Sequence, residues 1–181
     1  MPTFSVRRAS TADRPIVERL WLMFRHDMSE FGGQLPNPDG TFRAEWLVAA
    51  FEEQGWAGYI FTGLENRPIG FAIVRGLAGP VRVLNSFFVV RSMRRTGVGL
   101  QAVGAIVGER PGPWEVAFQD ANVTAVRFWR QVATRFADGE WKEERRAVPD
   151  RPDLAPDVWI SFTVGQGALD PSPGSAQPTQ A

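Results

Sequence analysis

The stretch Phe87-Phe88-Val89-Val90-Arg91-Ser92-Met93-Arg94-Arg95-Thr96-Gly97-Val98-Gly99-Leu100 constrains this chain more than any other. An apolar run leads through arginines into a Gly-x-Gly turn and then into helical spacing. It reads as a buried strand, a glycine turn and the first turn of a helix. Such a turn directs backbone N–H groups outward from a helix N-terminus, where the macrodipole favours anions. Gly97 and Gly99 lack Cβ atoms, so a phosphate can approach the main chain closely. Arg94 and Arg95 add forked donors suited to phosphate oxygens. A Gly-x-Gly pair alone is common in ordinary turns, and adjacent arginines are commonly a solvated surface, so the surroundings must decide. The expectation is a site for a diphosphate-bearing cofactor. A dinucleotide fingerprint would need a third glycine where Ala102 stands. A nucleoside-triphosphate loop would need Gly-Lys-Ser/Thr where Leu100-Gln101 stands. Both fail.

With 181 residues the chain is long enough for one domain with a full core. Its 20 basic and 20 acidic residues balance, so no global field draws in nucleic acid or a membrane surface. Cysteine is absent, which excludes disulfides, thiolate metal sites and cysteine nucleophiles. A single histidine argues against a histidine-built metal centre, so no metal is expected. No apolar run reaches the ~18 residues of a membrane span, and residues 1–8 lack a signal-peptide core. A cytoplasmic protein is the expectation.

Residues 3–8 alternate as a first strand. Ser10 or Thr11 can cap a helix with Pro15 in its first turn, in which Ile16, Leu20, Met23 or Phe24, and Asp27 recur, ending near Ser29. A loop rich in Gly and Pro covers residues 31–41, and a short helix residues 43–53, with Trp46, Leu47, Ala50 and Phe51 on one side. Residues 56–64 and 69–75 read as a hairpin, and residues 82–90 as the strand entering the glycine turn. The helix over 97–109 contains Gly104 and Gly108, which weaken it by about 1 kcal/mol each unless close packing needs them. Residues 114–118 form a short strand. Asn122 caps an amphipathic helix with Ala125, Phe128, Trp129, Val132 and Phe136 inward. Residues 141–146 and 158–164 close the fold as a strand pair. One domain over residues 1–164 is expected, with a disordered tail over 165–181. The fold class is α/β in the mixed α+β sense: a mostly antiparallel sheet of roughly six or seven strands with about four helices on both faces.

This order, with an arginine–glycine turn between the fourth strand and third helix, resembles the GNAT superfamily of N-acetyltransferases over residues 3–164. Arg94-Arg95-Thr96-Gly97-Val98-Gly99 is similar to that family's Gln/Arg-x-x-Gly-x-Gly/Ala acetyl-CoA motif. Residues 120–129 resemble its pattern of Asn, then Ala, then an aromatic pair on one helix. The resemblance implies that the fourth and fifth strands splay and admit the pantetheine arm of coenzyme A. It implies that Phe88 and Val89 offer main-chain groups to that arm, one N–H polarising the thioester carbonyl. Amides from Arg95 to Leu100 would wrap the pyrophosphate beside Arg94, and Asn122 would hydrogen-bond the arm. The helix bearing Phe128 and Trp129 would pack beside it or fill the core.

Attack of an amine on a thioester needs a neutral nucleophile. An alkylamine of pKa ~10 is about 99.9% protonated at pH 7, a cost of roughly 4 kcal/mol, so a base within reach is wanted. Many family members place a Glu on the fourth strand, but residues 82–90 hold no carboxylate. Ser86 stands where that Glu often lies; it can hold a water but is a poor base. The family's usual acid is a Tyr on the fourth helix, where this chain has Phe128-Trp129; its one tyrosine is Tyr59 on the second strand. The thiolate leaves well enough for water to protonate it. His26, Asp27 and Glu30 form the polar cluster of the first helix, and His26 and Glu30, four apart, share a face. Glu115 and Gln119 are further candidates, and positioning alone can contribute several kcal/mol.

Three functions are open on this reading. The first is an acetyl-CoA-dependent N-acetyltransferase of a small-molecule amine, and the second a non-catalytic acyl-CoA sensor or scaffold. The third is an acetyltransferase of protein or peptide amines; Phe31, Phe42, Trp46 and Trp56 favour a narrower pocket than that would need. Pairing between protomers is open to such a sheet, which admits a homodimer.

Overall fold

A computed structural model describes residues 4–149 and 152–166. The tail expected over 165–181 lies outside the described residues apart from Gly165 and Gln166. The elements run β1 (Ser5–Arg8), α1 (Arg14–Gly32), α2 (Glu45–Glu52), β2 (Trp56–Thr62), β3 (Pro68–Arg75), β4 (Arg82–Val89), α3 (Val98–Gly108), β5 (Gly112–Phe118), α4 (Val123–Phe136), β6 (Lys142–Arg146) and β7 (Asp157–Val164). The strands form one 7-stranded sheet in the order β1-β2-β3-β4-β5-β7-β6. Every pairing is antiparallel except β4 with β5. Element order and fold class are those expected from the sequence.

Two apolar layers cover the sheet. One packs Val98, Ala102, Val103 and Ile106 of α3 and Trp129 and Val132 of α4 on Tyr59, Leu84, Trp114, Val116 and Ile160. The other packs Val17, Leu20, Trp21 and Phe24 of α1 and Leu47 of α2 on Ile60, Phe71, Ile73 and Phe88. Strands β2 and β3 are apolar on both faces because helices cover both. Gly104 has the packing reason its presence demanded: a Cβ there would stand 2.8 Å from the Phe136 ring, so glycine lets α3 and α4 close together.

The structure corrects several local expectations. Helix α1 continues past Ser29 to Gly32 and stops at Gly33, whose φ of 65° is the left-handed cap that glycine adopts without a Cβ clash. Its buried row is Val17, Leu20, Trp21 and Phe24; Ile16 only flanks this row and Met23 is exposed. Ser10 caps the short turn over Thr11–Asp13 that leads into α1, in a capping box whose partner Asp13 accepts from the Ser10 amide and hydroxyl, and Asp13 is in turn the N-cap of α1 itself. In α2, Trp46 faces solvent while Leu47 and Ala49 are buried, because a helix of two turns leaves the direction of its apolar stripe open. Among the described residues, no helix is long and apolar enough to cross a membrane.

Candidate active site

Strand β4 shifts register on β3 between Ile73 and Val74, so Asn85 is an extra residue between Leu84 and Ser86. Such a bulge bends its strand and increases the local twist. Beyond it β4 leaves β5: the parallel pairing covers only Arg82, Val83 and Leu84 against Trp114, Glu115 and Val116, although β4 runs on to Val89 and β5 to Phe118. The two C-terminal halves therefore enclose an opening in the sheet.

The backbone groups that face this opening follow from alternation. The Val90 amide donates to the Ile69 carbonyl at 2.9 Å, and the register runs unbroken from there to Ile73 opposite Ser86. The main-chain groups of Phe88 and Ser86 thus face β3, and those of Phe87 and Val89 face the opening. This revises the expectation that Phe88 offers its backbone to a cofactor arm. The Val89 carbonyl is also engaged, accepting from Arg94 Nε at 2.8 Å. What remains on this edge is the amide of Val89 and both main-chain groups of Phe87.

The chain between β4 and α3 makes one helical turn over Arg91–Met93 and then reverses through two left-handed residues, Arg95 (φ 63°) and Gly97 (φ 89°). Among the described residues, no hydrogen bond within the chain occupies the amide N–H groups of residues 95 through 100. The first α3 bond is made by Gln101, to the Gly97 carbonyl at 3.1 Å. Consecutive unpartnered donors around left-handed residues form an anion-binding concavity, strengthened here by the positive end of α3. Thr96, Gly97, Val98, Gly99 and Leu100 line this turn, with Val98 buried and the Thr96 hydroxyl donating to the Met93 carbonyl at 2.7 Å.

Arg94 is directed elsewhere. Its guanidinium is bound to Asp27 of α1 and lies over the Phe88 ring at 5.6 Å, and Arg91 joins the same carboxylate at 2.7 Å. Asp27, only 12% exposed in its side chain, is held below the ordinary carboxylate range by these two arginines against the upward push of burial. The cluster fastens the turn to α1. Both arginines expected near a phosphate are exposed, but among the described residues only Arg95 is without an ion pair.

Across the opening, Phe87 stacks on Phe128 with centroids 5.6 Å apart, and Phe128 also meets Gly99, where a Cβ would come within 3.3 Å of its ring. Trp129 is 6% exposed and belongs to the core. Asn122 begins α4, its side-chain oxygen accepting from the Ala125 amide at 3.0 Å, which leaves its NH₂ group for a ligand.

The expected catalytic residues are not brought together. Ser86 sits on the α1 face of the sheet opposite Ile73, 4% exposed, its hydroxyl without a partner among the described residues. His26 and Glu30 are exposed, some 160° and 120° around α1 from Phe24, so they point away from the sheet and from Ser86. Glu115 is clamped by Arg146 at 2.8 and 3.1 Å and by the Ser161 hydroxyl at 3.0 Å; the Arg146 contact holds its carboxyl below the ordinary range. Gln119 is exposed beyond the end of β5. Asp27 stands in the polar cluster read from the first helix, but its pairing with Arg91 and Arg94 and the bulge at Asn85 have no local sequence signature. Among the described residues no group of three or more His, Asp or Glu side chains is placed to hold a metal ion.

No family model matches the sequence, and no curated protein matches it. Solved structures do match the fold. A GNAT-family acetyltransferase from Staphylococcus aureus Mu50 aligns with a TM-score of 0.63 at 11% identity, covering 90% of this chain and 100% of that one. The ribosomal-protein-S18-alanine N-acetyltransferase from Escherichia coli aligns at 0.61 and 12% identity, covering 90% and 94%. Aminoglycoside acetyltransferase AAC(6')-Ib in complex with coenzyme A aligns at 0.60 and 18% identity, covering 89% and 95%. With its parted β4 and β5 and the glycine turn between β4 and α3, the chain has the fold of the GNAT acetyltransferases.

Proposed function

We propose that this protein is an N-acetyltransferase that moves an acetyl group from acetyl-CoA to a primary amine of a small molecule, acting in the cytoplasm. The observation that carries the reading is the run of unpartnered amides at residues 95 through 100, set beside an opening between β4 and β5. That donor set fits a pyrophosphate. The amides of Arg95, Thr96, Gly97, Val98, Gly99 and Leu100 hold it, with Arg95 adding charge. The free main-chain groups of Phe87, the Val89 amide and the Asn122 NH₂ group align the pantetheine arm. Acetyl-CoA supplies an activated acyl group on a good leaving thiolate. The chain's own part is to orient the thioester, offer an N–H on the β4 edge to the charge that grows on its carbonyl oxygen, and admit a neutral amine.

A second reading has one observation in its favour: no side chain expected to act as base is both free and turned into the opening, which suits an acyl-CoA sensor or scaffold. Isothermal titration with acetyl-CoA, followed by thiol release over a panel of primary amines that includes peptide N-termini, separates the readings. Saturable binding with amine-dependent thiol release is expected, and the amines accepted identify the acceptor class. Binding without release across the panel would favour the sensor. The absence of binding would end both.

A further inference from the structure

We propose that Asp157 is the group that takes the proton from the attacking amine. The proposal rests on the acyl-transfer reading above and names the base that reading lacks. Asp157 opens β7, and the last residue of β5, Phe118, pairs with Val158. Asp157 therefore stands one register step beyond the C-terminal end of β5, the end at which β4 and β5 have parted. Val158 and Ile160 belong to the layer under α3 and α4, so by alternation Asp157 lies on the other face with Trp159 and Ser161. That is the face of Ser86, whose cross-strand partner Ile73 packs under α1. On the acyl-transfer reading, a thioester entering the opening from the α3 side would meet its acceptor on the sheet face that carries Asp157.

The charges of the described residues around it are paired with one another rather than with this carboxylate. Its cross-strand neighbour Arg146 turns its guanidinium to Glu115 and Glu144 and lies over Trp159 at 4.6 Å. Those two carboxylates share the face and are both held by Arg146. Arg145 and Asp120, near the start of α4, pair with each other at 2.8 Å. Among the described residues no side-chain hydrogen bond or ion pair engages the Asp157 carboxylate. Half-buried without a cation, it is pushed above the ordinary aspartate range by burial, which moves a carboxylate toward the range where it works as a base. Ser86 is buried, Glu115 is clamped, and His26 and Glu30 face solvent.

In the step, the acceptor's ammonium gives one proton to the Asp157 carboxylate. The freed lone pair forms the C–N bond as the C–S bond breaks. A second N–H proton reaches the leaving thiolate through water, and Asp157 returns its proton to solvent.

The test compares the full chain with Asp157→Asn and Asp157→Glu, using acetyl-CoA and the amine panel. Asp157→Asn is expected to lower kcat roughly 100-fold with acetyl-CoA binding by titration unchanged, and Asp157→Glu to recover part of the loss. The residual rate of Asp157→Asn should climb about tenfold per pH unit toward the pKa of the amine, where the parent levels off earlier. A kcat within about twofold of the parent with an unchanged pH profile would overturn the proposal while leaving the transferase reading intact. Loss of acetyl-CoA binding in both variants would overturn it too, by making Asp157 structural. If the parent binds acetyl-CoA but accepts no amine, carboxyl carbon NMR decides. The resonance missing in Asp157→Asn must titrate above the ordinary aspartate range and move when acetyl-CoA is added. A resonance that does neither overturns the assignment.

Discussion

Tyr59 is the chain's single tyrosine, 1% exposed on β2, and its hydroxyl donates to Glu109 at 2.9 Å. Burial first, then the Glu109 carboxylate, push its pKa up to about 12. With one phenol in the protein, an ultraviolet titration reads it without ambiguity: no phenolate step near pH ~10, and one near about 12. The unfolded chain releases this proton first, so between those values the folded state binds more protons and stability falls as pH rises. A step near pH ~10 in the folded protein would rule out the buried contact with Glu109. That Tyr59 is not an acid on the fourth helix was legible from its position in the chain. Its partner was not, because Glu109 at the end of α3 meets β2 only through tertiary packing. Arg94 teaches the same lesson: its charge was plain in the sequence, but only the approach of α1 shows that Asp27 takes it.

At the scale of elements, the entry to α1 depends on one carboxylate. Asp13, 6% exposed, accepts from Arg7 at 2.7 and 2.8 Å and from the Ser10 amide and hydroxyl. The Arg7 contact, aided by Ser10, holds it well below the ordinary range. Asp13→Asn should cost about 2 kcal/mol at neutral pH, read from urea midpoints. A depressed carboxyl stabilises above its unfolded pKa and loses that contribution as pH falls through its folded value. The gap between parent and variant should therefore narrow below pH ~4, and a gap constant from neutral to acid pH would refute the account. Helix α4 was legible because Asn122 and the apolar spacing are both local signals. The end of α1 was misplaced because Ser29 and Glu30 look like a helix end, whereas the glycine pair at 32 and 33 makes the stop.

Over the whole molecule, both apolar layers are complete by Val164. We propose residues 1–164 as the acyltransferase domain, with the segment after Gln166 dispensable to it. Gly165 still packs near Asp138, so the informative truncation ends after Gln166. That shortened chain should unfold within about 0.5 kcal/mol of the parent and bind acetyl-CoA equally; a larger loss would show that the segment belongs to the fold. The sheet ends at β6, Lys142-Glu143-Glu144-Arg145-Arg146, whose charges oppose edge pairing. The order of strands and helices, the glycine turn and the Asn122 cap were set by the sequence alone, because alternation, helix dipoles and positive φ act over a few neighbouring residues. Only the tertiary structure decided that Phe87 and Val89, not Phe88, turn their backbones to the opening, since pairing with β3 fixes that parity. It alone seats β7 between β5 and β6, which carries Asp157 to the end of β5. Strand partners far apart in the chain are chosen by burial and register, and no local pattern of residues encodes them.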